Sequence, residues 1–134
     1  MKNKKTILVI GLVVIATIIV GVTTRIYINR NPLLSFEVED IESIRVEIRP
    51  GEEEVMLSDE QIKEFLNCIQ KVRMDNDYFE YGDEVLRYNF IIERSNGKKY
   101  IVRHILNDNF KVDGVTYKGT SETVNEMMEF EKKL

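Results

Sequence analysis

Residues 88 to 105, YNFIIERSNGKKYIVRHI, contain two apolar runs joined by the turn-forming residues 95 to 97. A two-residue turn would pair Phe90 with Arg103 and set a charge among apolar side chains. A three-residue loop with Gly97 left-handed shifts the pairing by one residue and separates polar from apolar side chains. We therefore predict an antiparallel hairpin with a three-residue loop.

This register gives the hairpin two different faces. The core face places apolar side chains opposite each other, in the pairs Ile92 with Tyr100, Phe90 with Val102, Tyr88 with His104 and Leu86 with Leu106. We expect His104 to be a buried neutral histidine with a hydrogen-bond partner. The other face combines charged side chains with Ile91, Ile101 and Ile105, and it is predicted to be partly solvated or a contact face for a partner.

The sequence before the hairpin predicts two strands and a helix. Apolar and charged residues alternate over residues 44 to 48, which indicates a strand, and residues 55 to 57 are its short partner. Ser58 and Gln61 match the capping box that begins a helix, and its apolar stripe runs from residue 62 to residue 72.

The sequence after the hairpin predicts one more hairpin and a final helix. Asp113-Gly114 separates two short apolar runs, which is typical of a two-residue turn. The last helix begins at Thr120 or Ser121. The order β-β-α-β-β-β-β-α predicts an α+β fold, a small antiparallel β-meander sheet with two helices on one face.

The N-terminal segment has the character of a membrane anchor. Three lysines precede the stretch from Thr6 to Thr24, which holds no charged residue and spans roughly 28 Å as a helix, close to the thickness of a bilayer core. The candidate cleavage sites at residues 14 to 16 and 21 to 23 are poor, so we predict an uncleaved signal-anchor rather than a cleaved signal peptide.

The same segment predicts the organisation of the chain. Residues 1 to 28 are a cytoplasmic tip and a transmembrane signal-anchor that contacts the lipid bilayer through residues 6 to 28. Residues 29 to 39 are a juxtamembrane tether, and residues 40 to 134 are an extracytoplasmic α+β domain. The excess of lysine before the segment predicts a single-pass protein in the cell membrane, with the N-terminus cytoplasmic and the domain outside.

Charge and composition exclude several function classes. The chain has a net charge of −4, and its first thirty residues hold five cations and no acid, so residues 31 to 134 carry −9. Such a domain repels nucleic acid, so we expect no nucleic-acid partner. The chain has one Cys and one His and no phosphate-binding, metalloprotease or hydrolase motif. We therefore predict no enzyme activity, no catalytic residue and no cofactor.

The acidic loop of residues 74 to 84 raises the question of a calcium site. Asp75 and Asp77 have the spacing of the first two ligands of an EF-hand, but the following ligand position and the glycine are absent. An irregular site formed by Asp75, Asp77, Asp83 and Glu84 is one alternative. The other is a solvated acidic loop whose aromatic residues fold onto the sheet edge.

The basic start and anchor, followed by IESIRVEI, VMLSDEQIKEFLNCI, YNFIIERSNGKKYIVRHI and FKVDGVTYK, give the chain a recognisable pattern. This pattern resembles small single-pass exported domains of low-GC Gram-positive bacteria. The resemblance implies an anchored extracytoplasmic α+β domain and supplies no catalytic residue. We expect a binding or interaction module for a protein or peptide at the outer face of the membrane. The alternative is an immunity- or inhibitor-type protein that acts on a secreted peptide or enzyme.

Overall fold

The computed structural model describes the backbone of residues 2 to 27 and 29 to 134 and the side chains of residues 3 to 18 and 29 to 134. Over these residues the chain forms three helices and seven strands, which confirms the α+β class. They are α1 Lys2–Tyr27, β1 Ile41–Arg49, β2 Glu53–Met56, α2 Asp59–Gln70, β3 Met74–Asn76, β4 Arg87–Arg94, β5 Lys99–Ile105, β6 Asn109–Val112, β7 Val115–Gly119 and α3 Ser121–Lys132.

The strands form one antiparallel sheet in the order β2-β1-β4-β5-β6-β7-β3. It differs from the predicted meander in two respects. Strand β1 pairs with β4 across the connection that contains α2, and the additional strand β3 closes the far edge by pairing with β7. Because β3 has only three residues, it is too short to show an alternating pattern, and its partner β7 determines its conformation.

The central hairpin of β4 and β5 has the predicted register. Phe90 lies opposite Val102 and Tyr88 lies opposite His104. Gly97 has a φ of 84° and its amide donates to the carbonyl of Arg94, so the loop contains three residues with a left-handed glycine at its end. The predicted register is therefore confirmed from Tyr88 to His104. The predicted core pair of Leu86 and Leu106 is wrong, because both residues lie beyond the strands and are 49% and 53% exposed.

Helices α2 and α3 cover the first face of the sheet and form the core with it. Phe65 of α2 stacks on Phe90 at a centroid distance of 4.5 Å and contacts Phe130 of α3 at 6.2 Å. The predicted capping box is present at the start of α2, where Ser58 and Gln61 exchange hydrogen bonds of 3.2 and 2.9 Å. The core thus occupies one side of the sheet, and the other side is left for the loops and solvent.

Residues 29 to 39 are packed into the domain, which differs from the predicted tether. The side chain of Asn31 is buried and donates to the carbonyls of Ile69 and Val72 at 2.7 and 2.8 Å. Leu33 is fully buried, and Phe36 is 7% exposed. Because these side chains pair carbonyls at and just after the end of α2 and fill the core beside it, residues 29 to 36 are part of the folded domain.

Helix α1 has a different surface from α2 and α3. Its described large apolar side chains, from Ile7 to Ile18, are all at least 51% exposed. Over the described part of the chain, no helix meets the requirements of length and apolar character for a membrane span. The predicted span, residues 6 to 28, extends beyond the side chains that the structure describes.

Candidate functional site

The second face of the sheet, which the helices leave uncovered, carries the predicted contact residues. Ile91 and Ile101 are a cross-strand pair on this face, and both are half-buried. Ile105 is only 1% exposed, so its side chain offers no surface to a partner. The apolar contact surface is therefore smaller than the sequence predicts and is centred on Ile91 and Ile101.

The loop between β3 and β4 folds over part of the second face. The Nη1 atom of Arg103 donates to the hydroxyl of Tyr81 at 3.2 Å, and the guanidinium of Arg87 lies over the ring of Tyr81 at 5.8 Å. Phe79 is next to Tyr81, with ring centroids 6.3 Å apart. The aromatic residues of the loop therefore reach the face of β4 and β5, further inward than the predicted position at the sheet edge.

The four residues of the predicted calcium site are spread over the strand β3 and the loop. Asp75 lies on β3 opposite Lys118, and the Oδ1 atom of Asp77 accepts from the amide of Tyr78 at 2.9 Å. Asp83 contributes its backbone carbonyl to Arg87, at 3.1 Å. Among the described residues, no three His, Cys, Asp or Glu side chains form a group that could hold a metal ion. A calcium site at Asp75, Asp77, Asp83 and Glu84 stays a prediction.

Two adjoining clefts lie on the second face, and the larger one borders the loop. The smaller cleft has a volume of about 230 Å³ and is lined by Ile101, Arg103, Lys111, Asp113 and Gly114. The larger cleft has a volume of about 600 Å³ and contains the aromatic side chains of the loop. Lys111 and Gly114 line both clefts, so together they form one continuous surface depression beside Ile101.

His104 lies on the core face, on the opposite side of the sheet from these clefts. Its Nδ1 atom is 2.7 Å from both carboxylate oxygens of Glu131, and its Nε2 atom is 3.0 Å from the carbonyl of Asn107. A carbonyl can only accept, so Nε2 carries a proton. Both ring nitrogens are therefore occupied, and this histidine offers no free base.

Glu131 is the residue of this pair that the sequence pattern does not reveal. It is 4% exposed, and burial raises its pKa, while the hydrogen bond from His104 opposes the rise. Glutamate at the end of an amphipathic helix is usually exposed to solvent, so the sequence pattern does not predict that Glu131 is buried. A cavity of about 160 Å³ lies next to the pair, between Tyr88 and Met128.

The single cysteine has no catalytic environment. Cys68 is buried on α2, and burial raises the pKa of its thiol, with the carboxylates of Glu126 and Glu64 adding to the rise. A raised pKa keeps the sulfur as a thiol at neutral pH, whereas nucleophilic cysteines react as thiolates. Cys68 is therefore a core residue.

Comparisons with protein-family models, with curated proteins and with solved structures found no match to this chain. No relative therefore supplies a function, a ligand or a catalytic residue. The resemblance to exported single-pass domains stays a prediction. The second face of the sheet and the N-terminal helix are the features from which a function can be inferred.

Proposed function

We propose that this protein is a single-pass membrane-anchored binding module, whose α+β domain lies outside the cell membrane and docks a protein or peptide on the second face of its sheet. The observation that carries the proposal is the uncovered apolar surface of α1. Side chains around the helix, including Ile7 at 68% exposure and Ile15 at 55%, have no cover within the protein. A helix that is apolar all round is stable when lipid or other protein surrounds it.

The connection between α1 and the domain supports a position close to the bilayer. One residue separates the end of α1 at Tyr27 from Asn29, whose Oδ1 accepts from the amide of Met74 at 3.0 Å. The amide of Arg30 donates to the carbonyl of the same Met74, also at 3.0 Å. The chain is thus fixed to the domain within about 7 Å of the helix end, so the domain cannot move far from an anchored helix.

Several features favour binding over catalysis. His104 has both ring nitrogens occupied, and Cys68 is buried as a thiol. The second face instead offers the half-buried pair Ile91 and Ile101 beside the two clefts. Half-exposed apolar side chains within a charged rim are typical of the centre of a protein-protein contact.

Photo-crosslinking in intact cells tests whether a partner contacts the second face of the sheet. A crosslinking amino acid at Lys99, next to the isoleucine pair, should give a discrete adduct in intact cells. Ile91→Asp and Ile101→Asp should each abolish the adduct, because a carboxylate would have to be desolvated in the contact. Leu34→Asp is the matched control, since Leu34 is 49% exposed in the Pro32–Ser35 turn, outside the sheet. Equal adducts in all three variants would show that this face is not the docking surface.

A further inference from the structure

Most basic side chains of the second face lie beside an acid or donate to carbonyl oxygens. Arg45 and Arg49 form ion pairs with Glu47 and Glu54 at 3.0 to 3.8 Å. Across the strands, two lysines each lie opposite an acid, Lys99 opposite Glu93 and Lys118 opposite Asp75. Arg87 donates to the carbonyls of Asp83 and Val85.

Arg103 and Lys111 have no acid opposite them on the neighbouring strands. They lie directly opposite each other on β5 and β6, so two like charges are neighbours across the strands. Arg49 and Arg87 are also opposite each other, but Arg49 forms an ion pair with Glu47. Their other cross-strand neighbours are Asn89 and Thr116, which are uncharged. Among the side chains that the structure describes, neither cation forms an ion pair with a carboxylate. A like-charge pair of this kind opposes folding, although the domain has an excess of acids.

The guanidinium of Arg103 also has unused hydrogen-bonding capacity. Tyr81 accepts from Nη1 and fixes the side chain, whereas the buried Nε atom has no acceptor among the described residues. On the neighbouring strand, the Oδ1 atom of Asn89 is likewise buried without a partner. A positioned arginine with a lysine beside it is an arrangement that binds oxyanions in proteins.

We infer that the smaller cleft binds the carboxylate of a peptide C-terminus, with Arg103 and Lys111 as its cationic partners. The smaller cleft is lined by two cations and by Asp113, which gives it a net charge of +1, whereas the larger cleft adds the acids Glu80 and Asp83. A singly charged carboxylate therefore suits the smaller cleft better than a doubly charged phosphate. The larger cleft, with Tyr78 and Phe79 on its wall, provides room for the preceding residues. This inference rests on the proposed role as a binding module and names the class of partner.

A titration of the full-length protein in detergent micelles, followed by ¹H–¹⁵N NMR, tests the inference. The probe is the peptide acetyl-Ala-Leu-Phe with a free C-terminal carboxylate, compared with the same peptide carrying a C-terminal amide. The free acid should shift the resonances of the Arg103 Nε–H and the Gly114 amide, and the amide form should bind at least tenfold more weakly. Lys111→Gln should weaken binding of the free-acid peptide at least fivefold. Lys118→Gln, the control on the same face, should leave the affinity for that peptide unchanged.

Two outcomes would overturn the inference. Equal binding of the acid and the amide would show that no carboxylate is recognised. Shifts of Arg103 with sodium phosphate at lower concentration than with the peptide would assign the cleft to phosphate instead. Either result leaves the crosslinking at the isoleucine pair unaffected, so failure of this inference is distinct from failure of the proposed binding function.

The thermal stability of the peptide-free protein gives an independent readout. Lys111→Glu places an acid opposite Arg103 and should raise the Tm by about 2 to 4 °C, because a like-charge pair becomes an opposite-charge pair. Lys118→Glu places an acid opposite Asp75 and should lower the Tm. Unchanged or lower stability of Lys111→Glu would show that the two cations do not repel each other, and it would remove the basis of the inference.

Discussion

At the scale of single residues, two polar positions inside the domain depend on exact partners. Asn31 and Glu131 are each 4% exposed, and each forms hydrogen bonds that a nonpolar side chain cannot replace. Glu131 holds His104 against the ring of Phe110, whose centroid lies 4.5 Å from the imidazole. Buried polar groups are costly unless they are paired, so each partner depends on the other.

The pair of His104 and Glu131 predicts a pH dependence of stability. The folded-state pKa of Glu131 is raised above its ordinary value of 4.5, chiefly by burial. The stability contributed by a group of this kind is full below its unfolded pKa and is lost as the pH rises through its folded pKa. Glu131→Gln keeps a hydrogen-bond partner for Nδ1 of His104 and removes this titration. The Tm of the variant, relative to the wild type, should therefore rise between pH 4 and pH 7, measured by circular dichroism.

The control for this measurement is Glu129→Gln on the same helix. Glu129 is 69% exposed and pairs with Lys132, so its replacement should give a Tm difference that hardly varies with pH. If the Tm difference between Glu131→Gln and the wild type also does not vary with pH, burial does not disfavour the carboxylate and the prediction is wrong.

At the scale of elements, the segment before β1 completes α2. Gln70, at the end of α2, donates to the carbonyls of Leu33 and Phe36 at 3.0 and 2.7 Å, while Asn31 caps the carbonyls at the same end. The ring of Phe36 lies under the guanidinium of Arg94 at 4.6 Å, which ties the segment to β4. Residues 29 to 36 therefore act as a structural part of the helical layer.

This packing predicts that the domain boundary determines stability. A fragment of residues 40 to 134 loses the buried side chains of Leu33 and Phe36, and the carbonyl of Val72 loses its donors Asn29 and Asn31. Each lost side chain costs about 1.5 to 3 kcal/mol, so the fragment should be less stable than residues 29 to 134 by roughly 3 to 6 kcal/mol. Urea unfolding followed by circular dichroism measures the difference. Leu34→Ala in the longer fragment is the control, and its urea midpoint should change little because Leu34 is exposed. Equal midpoints for the two fragments would show that residues 29 to 39 act as the predicted tether instead.

At the scale of the whole molecule, the sheet separates a structural side from an open side. The helices α2 and α3 bury the first face, and the second face carries the clefts, the isoleucine pair and the basic side chains. The helix α1 adds a third surface, which is apolar and uncovered where its side chains are described. The proposed function assigns α1 to the bilayer and the second face to a partner.

The proposed anchor predicts the behaviour of the protein on membrane extraction. The full-length protein should stay with the membrane pellet in alkaline carbonate, as integral proteins do. Val14→Asp with Ile18→Asp should move it to the soluble fraction, because each aspartate near the centre of a span costs about 2.5 to 3.5 kcal/mol of insertion. Val115→Asp, at an exposed position on β7, is the control and should stay in the pellet. Release of the wild-type protein by carbonate would contradict the anchor.

The sequence predicted local features well and long-range ones less well. The capping box at Ser58, the left-handed Gly97 and the turn at Asp113-Gly114 all depend on residues a few positions apart, and all are present. The edge strand β3 and the packing of Asn31 depend on partners about forty residues away, which no local pattern encodes. For the candidate site, the sequence indicated the second face, but it did not indicate that Arg103 and Lys111 would be neighbours.

The sequence by itself determined the α+β class, the central hairpin with its register, and the apolar character of the N-terminal segment, because periodicity, turn residues and capping are local properties of the chain. Only the tertiary structure decided which polar residues are buried, where the domain begins, and that two unneutralised cations meet at a cleft. These features arise from strand order and helix docking, which bring together residues distant in sequence. The physical reason is that burial and cross-strand pairing change the energy of a charge far more than its neighbours along the chain do.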